Sequence, residues 1–150
     1  ADVALVAIAG PDGLVRRGPG LVAGERHHAA TYTRQAGETV DAEAGDERPA
    51  FVGINCSHPV EFQPAIEPGE WFQRVRCLRP NAVLADKAAL CTLGHLEAGD
   101  PTQLGALMGD LARRHPHIDL WGGCCGTWDT HLDQIAARVG EARGGVDPPG

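Results

Sequence analysis

The apolar positions of this chain fall in short continuous runs rather than in a strict alternation. Residues 3–9 and 50–55 read VALVAIA and AFVGIN, and unbroken runs of this length are typical of strands that are buried on both faces. Shorter runs at 75–78 and 118–121 predict two further strands. The pattern therefore predicts four buried strands.

Helical periodicity is clearest in the last third of the chain. Asp100 suits an N-cap and Pro101 suits the first helical position, so we expect a helix that begins at 101 and ends before Pro116. One face of this helix is apolar at Leu104, Leu107, Met108 and Leu111. A last helix over about 128–143 has an apolar face at Leu132, Ile135, Ala136 and Val139. A helical turn or two at 70–76 and a helix over 86–96 are also expected.

Strands that alternate with helices are typical of a parallel α/β arrangement. We interpret residues 1–150 as one domain, with a poorly patterned excursion at 18–48 and a frayed tail at 144–150. In such folds the functional residues lie at the carboxyl ends of the strands. The chemistry of this chain is therefore expected at the strand ends.

Composition and charge exclude several classes of function. Apolar residues make up 43% and charged residues 22%, a balance typical of globular proteins. The net charge of -7 disfavours a nucleic-acid partner. No apolar run approaches the roughly 18 residues that span a membrane, and no signal-peptide pattern opens the sequence. We therefore expect a cytoplasmic protein in a reducing environment, with no membrane partner.

Cysteines follow two of the predicted strands. Cys56 comes directly after the strand at 50–55, and Cys124 and Cys125 follow the strand at 118–121 within a run of glycines. Five cysteines cannot all pair within one chain, and adjacent cysteines rarely form a disulfide. The glycines give the backbone the freedom to present two neighbouring sulfurs together.

Three thiolates without a fourth protein ligand would form an open zinc site. Such a site can hold an incoming thiol as its thiolate, which is a nucleophile for methyl groups. The alternative is that these cysteines are small core residues, as single cysteines at strand ends often are. The residues by themselves leave both interpretations open.

The motifs GINC at 53–56 and GGCCGT at 122–127 resemble the zinc signatures of the homocysteine S-methyltransferase family. Pro80 and Asn81 resemble the asparagine-bearing turn of that family, although PNAV stands here in place of a PNSG-like turn. His131 matches a histidine that follows the cysteine pair. The resemblance covers roughly residues 50–139, and residues 18–48 have no recognisable counterpart.

The resemblance implies a fold and a metal site. The fold is a (βα)8 TIM barrel, of which this segment would be the C-terminal half, about strands 5–8, with residues 1–11 as the fifth strand. Cys56, Cys124 and Cys125 would be the Zn2+ ligands. Asn55, Asn81 and His131 would bind substrate or support the metal ligands, although each has a structural alternative as a turn or cap residue.

The implied activity is that of a methyltransferase in methionine biosynthesis. Its partners would be homocysteine and a methyl donor: S-methylmethionine, a betaine or a folate. Two alternatives stay open. One is an incomplete, non-catalytic zinc-binding half-barrel that needs a complementary chain or a homo-oligomer, and the other is a redox or metal-handling protein that uses the adjacent thiols.

The remaining candidate residues are expected to be structural. Cys77 and Cys91 fall outside the motifs and are interpreted as core or half-buried thiols. Trp71 and Trp121 are expected to pack against the core. The other histidines lack a metal-ligand spacing and are expected to be solvated: His27, His28, His58, His95, His115 and His117.

Overall fold

The computed structural model describes residues 4–8, 15–17, 34, 38, 41–42, 49–84, 94–95 and 97–144. Within them lies a five-stranded sheet of order β2-β1-β3-β4-β5. The strands are β1 (Ala4–Ile8), β2 (Val15–Arg17), β3 (Phe51–Asn55), β4 (Val75–Arg79) and β5 (Leu120–Trp121). Strands β3, β4 and β5 run parallel, whereas β1 is antiparallel to both of its neighbours.

All four strands predicted from the apolar runs are present. The direction of the first one differs from the expectation, because β1 pairs antiparallel with β3 from Ala4 opposite Asn55 to Ile8 opposite Phe51. A fifth barrel strand would run parallel to the sixth, so the assignment of residues 1–11 to that position is wrong. An apolar run shows that a strand is buried but carries no information about its direction. Strand β2, only three residues long, was not predicted.

The described helices are α1 (Pro59–Phe62), α2 (Glu70–Gln73), α3 (Pro101–Arg114) and α4 (Asp129–Ala142), and a 3-10 turn, Gln63–Ala65, follows α1. Helix α3 begins as predicted: the Asp100 carboxylate accepts a hydrogen bond from Thr102 N at 2.8 Å, and Pro101 takes the first position. The expected helix at 86–96 lies outside the described residues except at 94–95, as do most of 18–48 and the tail beyond 144.

The core lies between the parallel strands and the helices α3 and α4. It combines Ile54 of β3 and Leu78 of β4 with side chains from both helices: Leu104, Met108, Leu111, Ala112, Ile135 and Val139. Trp71 and Trp121 pack against this cluster, as expected from the sequence. The two helices approach closely, since an added Cβ at Gly105 would lie 2.8 Å from Gln134 Cβ.

The described architecture is α/β, and the three parallel strands of the sheet are compatible with successive βα units. Along the part of the chain that can be described, we find no helix with the length and apolar character needed to cross a membrane. The parallel strands place the carboxyl ends of β3, β4 and β5 at one edge of the sheet, where the cysteines lie.

Candidate metal centre

The segment that follows β4 holds the two cysteine segments together. On one side, Cys56 N donates to Arg79 O at 3.2 Å. On the other side, Cys124 N donates to Pro80 O at 2.8 Å, and Ala82 N donates to Cys125 O at 2.9 Å. Main-chain hydrogen bonds therefore fix all three cysteines relative to the end of a single strand.

The three sulfur atoms converge, and we call them the thiol cluster: Cys56 Sγ, Cys124 Sγ and Cys125 Sγ. All three lie within 4.8 Å of one another. The Cys56 and Cys124 sulfurs are 2.7 Å apart, and the Cys124 and Cys125 sulfurs are 3.9 Å apart. Among the described residues, the thiol cluster is the one group of three or more potential ligands that could hold a metal ion.

Two neighbouring cysteines can face one point because the chain turns sharply after β5. Gly126 has φ +75°, and a Cβ at this position would collide with the carbonyl oxygen of Glu97. Thr127 closes the turn, since its hydroxyl donates to Cys124 O at 2.6 Å and its N–H donates to the same oxygen at 3.1 Å. Position 126 thus requires glycine for two reasons: its φ is positive, and there is no space for a Cβ.

Cys56 adopts a left-handed backbone conformation with φ +60°, the one positive φ at a non-glycine position in the part of the chain described here. Such a conformation costs about 1–2 kcal/mol for a residue with a Cβ. It ends β3 abruptly and turns the Cys56 side chain out of the strand alternation. Backbone strain held in place by surrounding contacts is concentrated at functional sites.

The electrostatics of the cluster oppose ionisation of the Cys56 thiol when no cation is bound. Burial raises the pKa of the Cys56 thiol to about 12, and the hydrogen bond and charge of Cys124, with Cys125 beside it, add to the shift. Three thiolates at this distance would repel one another strongly. A bound cation would remove that penalty, because metal ligation requires and stabilises the thiolate form.

The donor set fits a soft metal ion. Zinc–sulfur bonds of about 2.3 Å in a tetrahedral arrangement place the sulfurs about 3.8 Å apart, which the Cys124–Cys125 separation of 3.9 Å matches. The Cys56 and Cys124 sulfurs, at 2.7 Å, would have to separate by about 1 Å. Cys125 is exposed, so the cluster is open to a further ligand from solvent.

Asn55 and Asn81 both lie beside the cysteines. Asn55 Nδ2 donates to Cys56 Sγ at 3.4 Å, and Asn81 N donates to Ser57 O at 3.2 Å. The side-chain oxygens of both asparagines are buried without a hydrogen-bond partner. Buried polar atoms are rarely left unpaired, so these two oxygens represent unused hydrogen-bonding capacity beside the cysteines.

His131 supports the cysteine turn from the start of α4. The side chain is 1% exposed, its Nδ1 accepts from Trp128 N at 3.1 Å, and its other ring nitrogen donates to Ala98 O. Because both ring nitrogens are engaged within the protein, His131 links the segment before α3 to the turn that carries Cys124 and Cys125.

The expectation that His58 is solvated is wrong. Its side chain is 5% exposed and caps α1 by accepting from Val60 N at 3.3 Å, while Glu61 accepts from His58 N at 2.9 Å. Burial lowers the pKa of His58. The sequence signal was available, since Glu61 stands at the position that completes a capping box. This cap orders the chain immediately after Cys56.

Sequence reasoning also passed over Arg79. This exposed residue ends β4, and its Nε donates to Gly123 O at 3.2 Å, one residue from the cysteine pair. Cys77 lies on the same strand but outside the thiol cluster. Burial raises its pKa, which agrees with the interpretation of Cys77 as a core thiol.

Taken together, the fold and the site define an α/β protein whose strand ends present three thiols able to hold a metal ion. A sequence model of the family described as homocysteine S-methyltransferase matches residues 19–139, and the chain belongs to this family. The match includes residues 19–48, so the expectation that this stretch has no family counterpart is wrong. No curated protein and no solved structure matches the chain significantly.

Proposed function

We propose that this chain takes part in zinc-dependent methyl transfer to the thiol of homocysteine, which gives methionine. Family membership supports the reaction class. The observation that carries the proposal is the convergence of three cysteine sulfurs within 4.8 Å at the carboxyl edge of parallel strands. Residues 1–150 would form part of the methyltransferase domain.

Cys56, Cys124 and Cys125 would hold the Zn2+ ion and leave one position for the thiol of the substrate. When bound, the ion lowers the pKa of a coordinated thiol and so supplies a thiolate at neutral pH. Asn55 supports the ligand set, because its Nδ2 donates to Cys56 Sγ and thereby stabilises negative charge on that sulfur. The backbone hydrogen bonds that Arg79 O and Pro80 O accept from Cys56 N and Cys124 N hold the ligand segments in place before any metal binds.

The methyl transfer itself is a displacement at carbon. The sulfur of the homocysteine thiolate forms a bond to the methyl carbon of the donor, and the bond between that carbon and the donor's nitrogen or sulfur breaks. The electron pair of the broken bond stays on the donor and neutralises the positive charge of a sulfonium or quaternary ammonium donor. The methyl-bearing nitrogen of a folate would first have to take up a proton, so that it also leaves as a neutral amine. Cys125 is exposed, so the thiol cluster can be reached from solvent.

Zinc content per chain tests the ligand assignment directly. We expect reduced, purified protein to bind close to one zinc ion per chain, and Cys125→Ser to lower zinc occupancy sharply, because a hydroxyl is a poor replacement for a thiolate. Cys77→Ser is the matched control, since Cys77 is 7% exposed and lies outside the cluster. Elemental analysis of both variants beside the wild type provides the measurement. Equal zinc loss in both variants would contradict the assignment.

A redox function is the second candidate, favoured by the 2.7 Å separation of the Cys56 and Cys124 sulfurs. In that function an oxidant such as oxidised glutathione would accept two electrons as the two thiols lose their protons and join in a disulfide. Thiol titration of metal-free protein measures this: reversible loss of two thiols in the wild type, but not in Cys56→Ser, would favour the redox candidate. Retention of all thiols together with tight zinc binding would favour methyl transfer.

A further inference from the structure

Helix α4 carries more apolar surface than the rest of the chain covers. The sequence predicts one apolar face at Leu132, Ile135, Ala136 and Val139. The structure buries Ile135 and Val139 in the core, whereas Leu132 is 47% exposed and Ala136 is exposed as well. Trp128, the N-cap residue of α4, is 56% exposed. The predicted face is therefore divided, and its outer half stays in contact with solvent.

The outer half belongs to one row of residues along α4, which we call the α4 ridge: Trp128, Leu132, Ala136 and Gly140. These residues recur every four positions, the spacing whose rows most often interlock when two helices pack. Helix α3 does not occupy this side, because its glycines approach α4 at Gln134 and Arg138 instead. The α4 ridge therefore faces away from both α3 and the core.

The α4 ridge is bulky along its first half and open along its second. Leu132 and Gly140 lie four residues to either side of Ala136, and Trp128 and Gly144 lie eight residues to either side. A Cβ added at either glycine would meet no atom within 4 Å. A second α4 helix that runs antiparallel about a two-fold axis at Ala136 would bring each bulky side chain over the open space at a glycine of the other copy. The ridge is thus complementary in shape to itself.

The charges along the α4 ridge are complementary in the same arrangement. Asp129 and Arg143 lie seven residues to either side of Ala136, and seven residues make about two helical turns, so all three lie on one side of α4. Among the described residues, neither Asp129 nor Arg143 forms an ion pair. The antiparallel arrangement places each Asp129 level with Arg143 of the other copy. This pairing opposes the repulsion between two chains of net charge -7.

We propose that two copies of this chain associate through the α4 ridge, with their α4 helices antiparallel about a two-fold axis at Ala136. The contact uses the same patch on both copies, as two-fold dimers do. Burial of Trp128 and Leu132 supplies the apolar contribution, and the pairing of Asp129 with Arg143 fixes the orientation. One pair of helices is smaller than the standard interface of about 800 Å² per partner, so we expect a dimer with a dissociation constant of about micromolar magnitude.

Sedimentation velocity of the whole chain, at concentrations from about 1 µM to about 500 µM, tests the inference. Leu132→Glu places a charge in the α4 ridge. Gly140→Leu fills the space that Leu132 of the other copy would enter, at a position with open space in its own chain. Ala137→Leu is the matched control, because Ala137 is exposed on α4 but lies outside the ridge.

We expect the wild type to sediment as a dimer at high concentration and to dissociate on dilution. Leu132→Glu and Gly140→Leu should each raise the dissociation constant by about tenfold or more. Both variants should keep the circular dichroism of the wild type, since Leu132 is half exposed and nothing lies close to Gly140. Ala137→Leu should dimerise as the wild type does. A dimer that both ridge variants leave intact would place the contact elsewhere and overturn the inference.

Acrylamide quenching identifies what covers the α4 ridge. Comparison with Trp128→Phe isolates the fluorescence of Trp128 from that of Trp71 and Trp121, and we expect Trp128 to become shielded as the dimer forms. A chain that stays monomeric at every concentration, with Trp128 freely quenched, would refute the proposed dimer. A monomer in which Trp128 is already shielded would show that another segment of the same chain covers the ridge, and it would refute the dimer equally.

Discussion

The helix layer and the cysteine end of the sheet differ in burial, backbone strain and hydrogen bonding. In α3 the side chains of Leu104, Met108 and Leu111 are at most 1% exposed and belong to the apolar core cluster. At the cysteine end, Cys56 has a positive φ and the side-chain oxygens of Asn55 and Asn81 lack partners. One region has an apolar core without backbone strain, whereas the other combines strain with unused hydrogen-bonding capacity.

This difference indicates where stability and function reside in the molecule. Local rules are broken mainly where a ligand or reaction requires it, and the remainder of the fold supplies the compensating stability. The helix layer buries the apolar surface that offsets the strain at the strand ends. Substitutions in the two regions should therefore affect different measurements.

The largest effect is expected for Gly126→Ala at the cysteine end. Alanine would hold an unfavourable φ of +75° and would collide with the Glu97 carbonyl. We expect a loss of about 3 kcal/mol or more in unfolding free energy, from φ strain and overpacking together. Zinc occupancy should fall as well, because the turn positions Cys124 and Cys125. Urea denaturation and elemental analysis measure the two effects.

Gly144→Ala is the control for this prediction. Gly144 has a similar φ of +86° but no atoms within 4 Å of an added Cβ, so only the dihedral cost of about 1–2 kcal/mol applies. Zinc binding should be unchanged in this variant. If the two variants lost stability and zinc to the same extent, the close packing of the cysteine turn would not be what positions the thiols.

A smaller effect, confined to stability, is expected for Gly105→Val in the helix layer. An added Cβ would lie 2.8 Å from Gln134 Cβ, so α3 and α4 must move apart at a cost of about 2–3 kcal/mol. Gly140→Ala is the control, since Gly140 has open space around it and alanine should stabilise α4 by about 0.5–1 kcal/mol. Zinc bound per folded chain should stay at the wild-type level in both variants. A zinc loss in Gly105→Val would contradict the view that the helix layer affects stability alone.

The smallest effect is a pH dependence that arises at His115, the C-cap residue of α3. Burial lowers the pKa of His115 below 6.5, Arg114 and His117 lower it further, and Asp110 opposes them. The unfolded chain therefore takes up this proton first as the pH falls below 6.5. Stability should be fully present above that pH and should decline as the pH falls towards the folded pKa.

Thermal unfolding between pH 7.5 and pH 5 measures this decline. His115→Leu should reduce it, because the group that titrates is removed, while zinc binding at pH 7.5 should not change. An unchanged slope in His115→Leu would show that the pH dependence arises elsewhere, for instance at His58, whose pKa is also lowered by burial.

Much of the fold could be predicted from local pattern. The apolar runs located β1, β3, β4 and β5, and Asp100 with Pro101 marked the first turn of α3. The direction of β1 could not be predicted, because both parallel and antiparallel neighbours accept an apolar run. His58 was misjudged because burial depends on what packs above the side chain, although its capping partner Glu61 was visible in the sequence.

The candidate site was likewise only partly predictable from the sequence. The sequence by itself determined which residues could carry the chemistry, because cysteines at strand ends and glycines beside them are local features that parallel topology brings to one edge. Only the tertiary structure decided that the three sulfurs lie within 4.8 Å and that both ring nitrogens of His131 are engaged. These properties depend on contacts between segments far apart in the chain, and no local pattern encodes them.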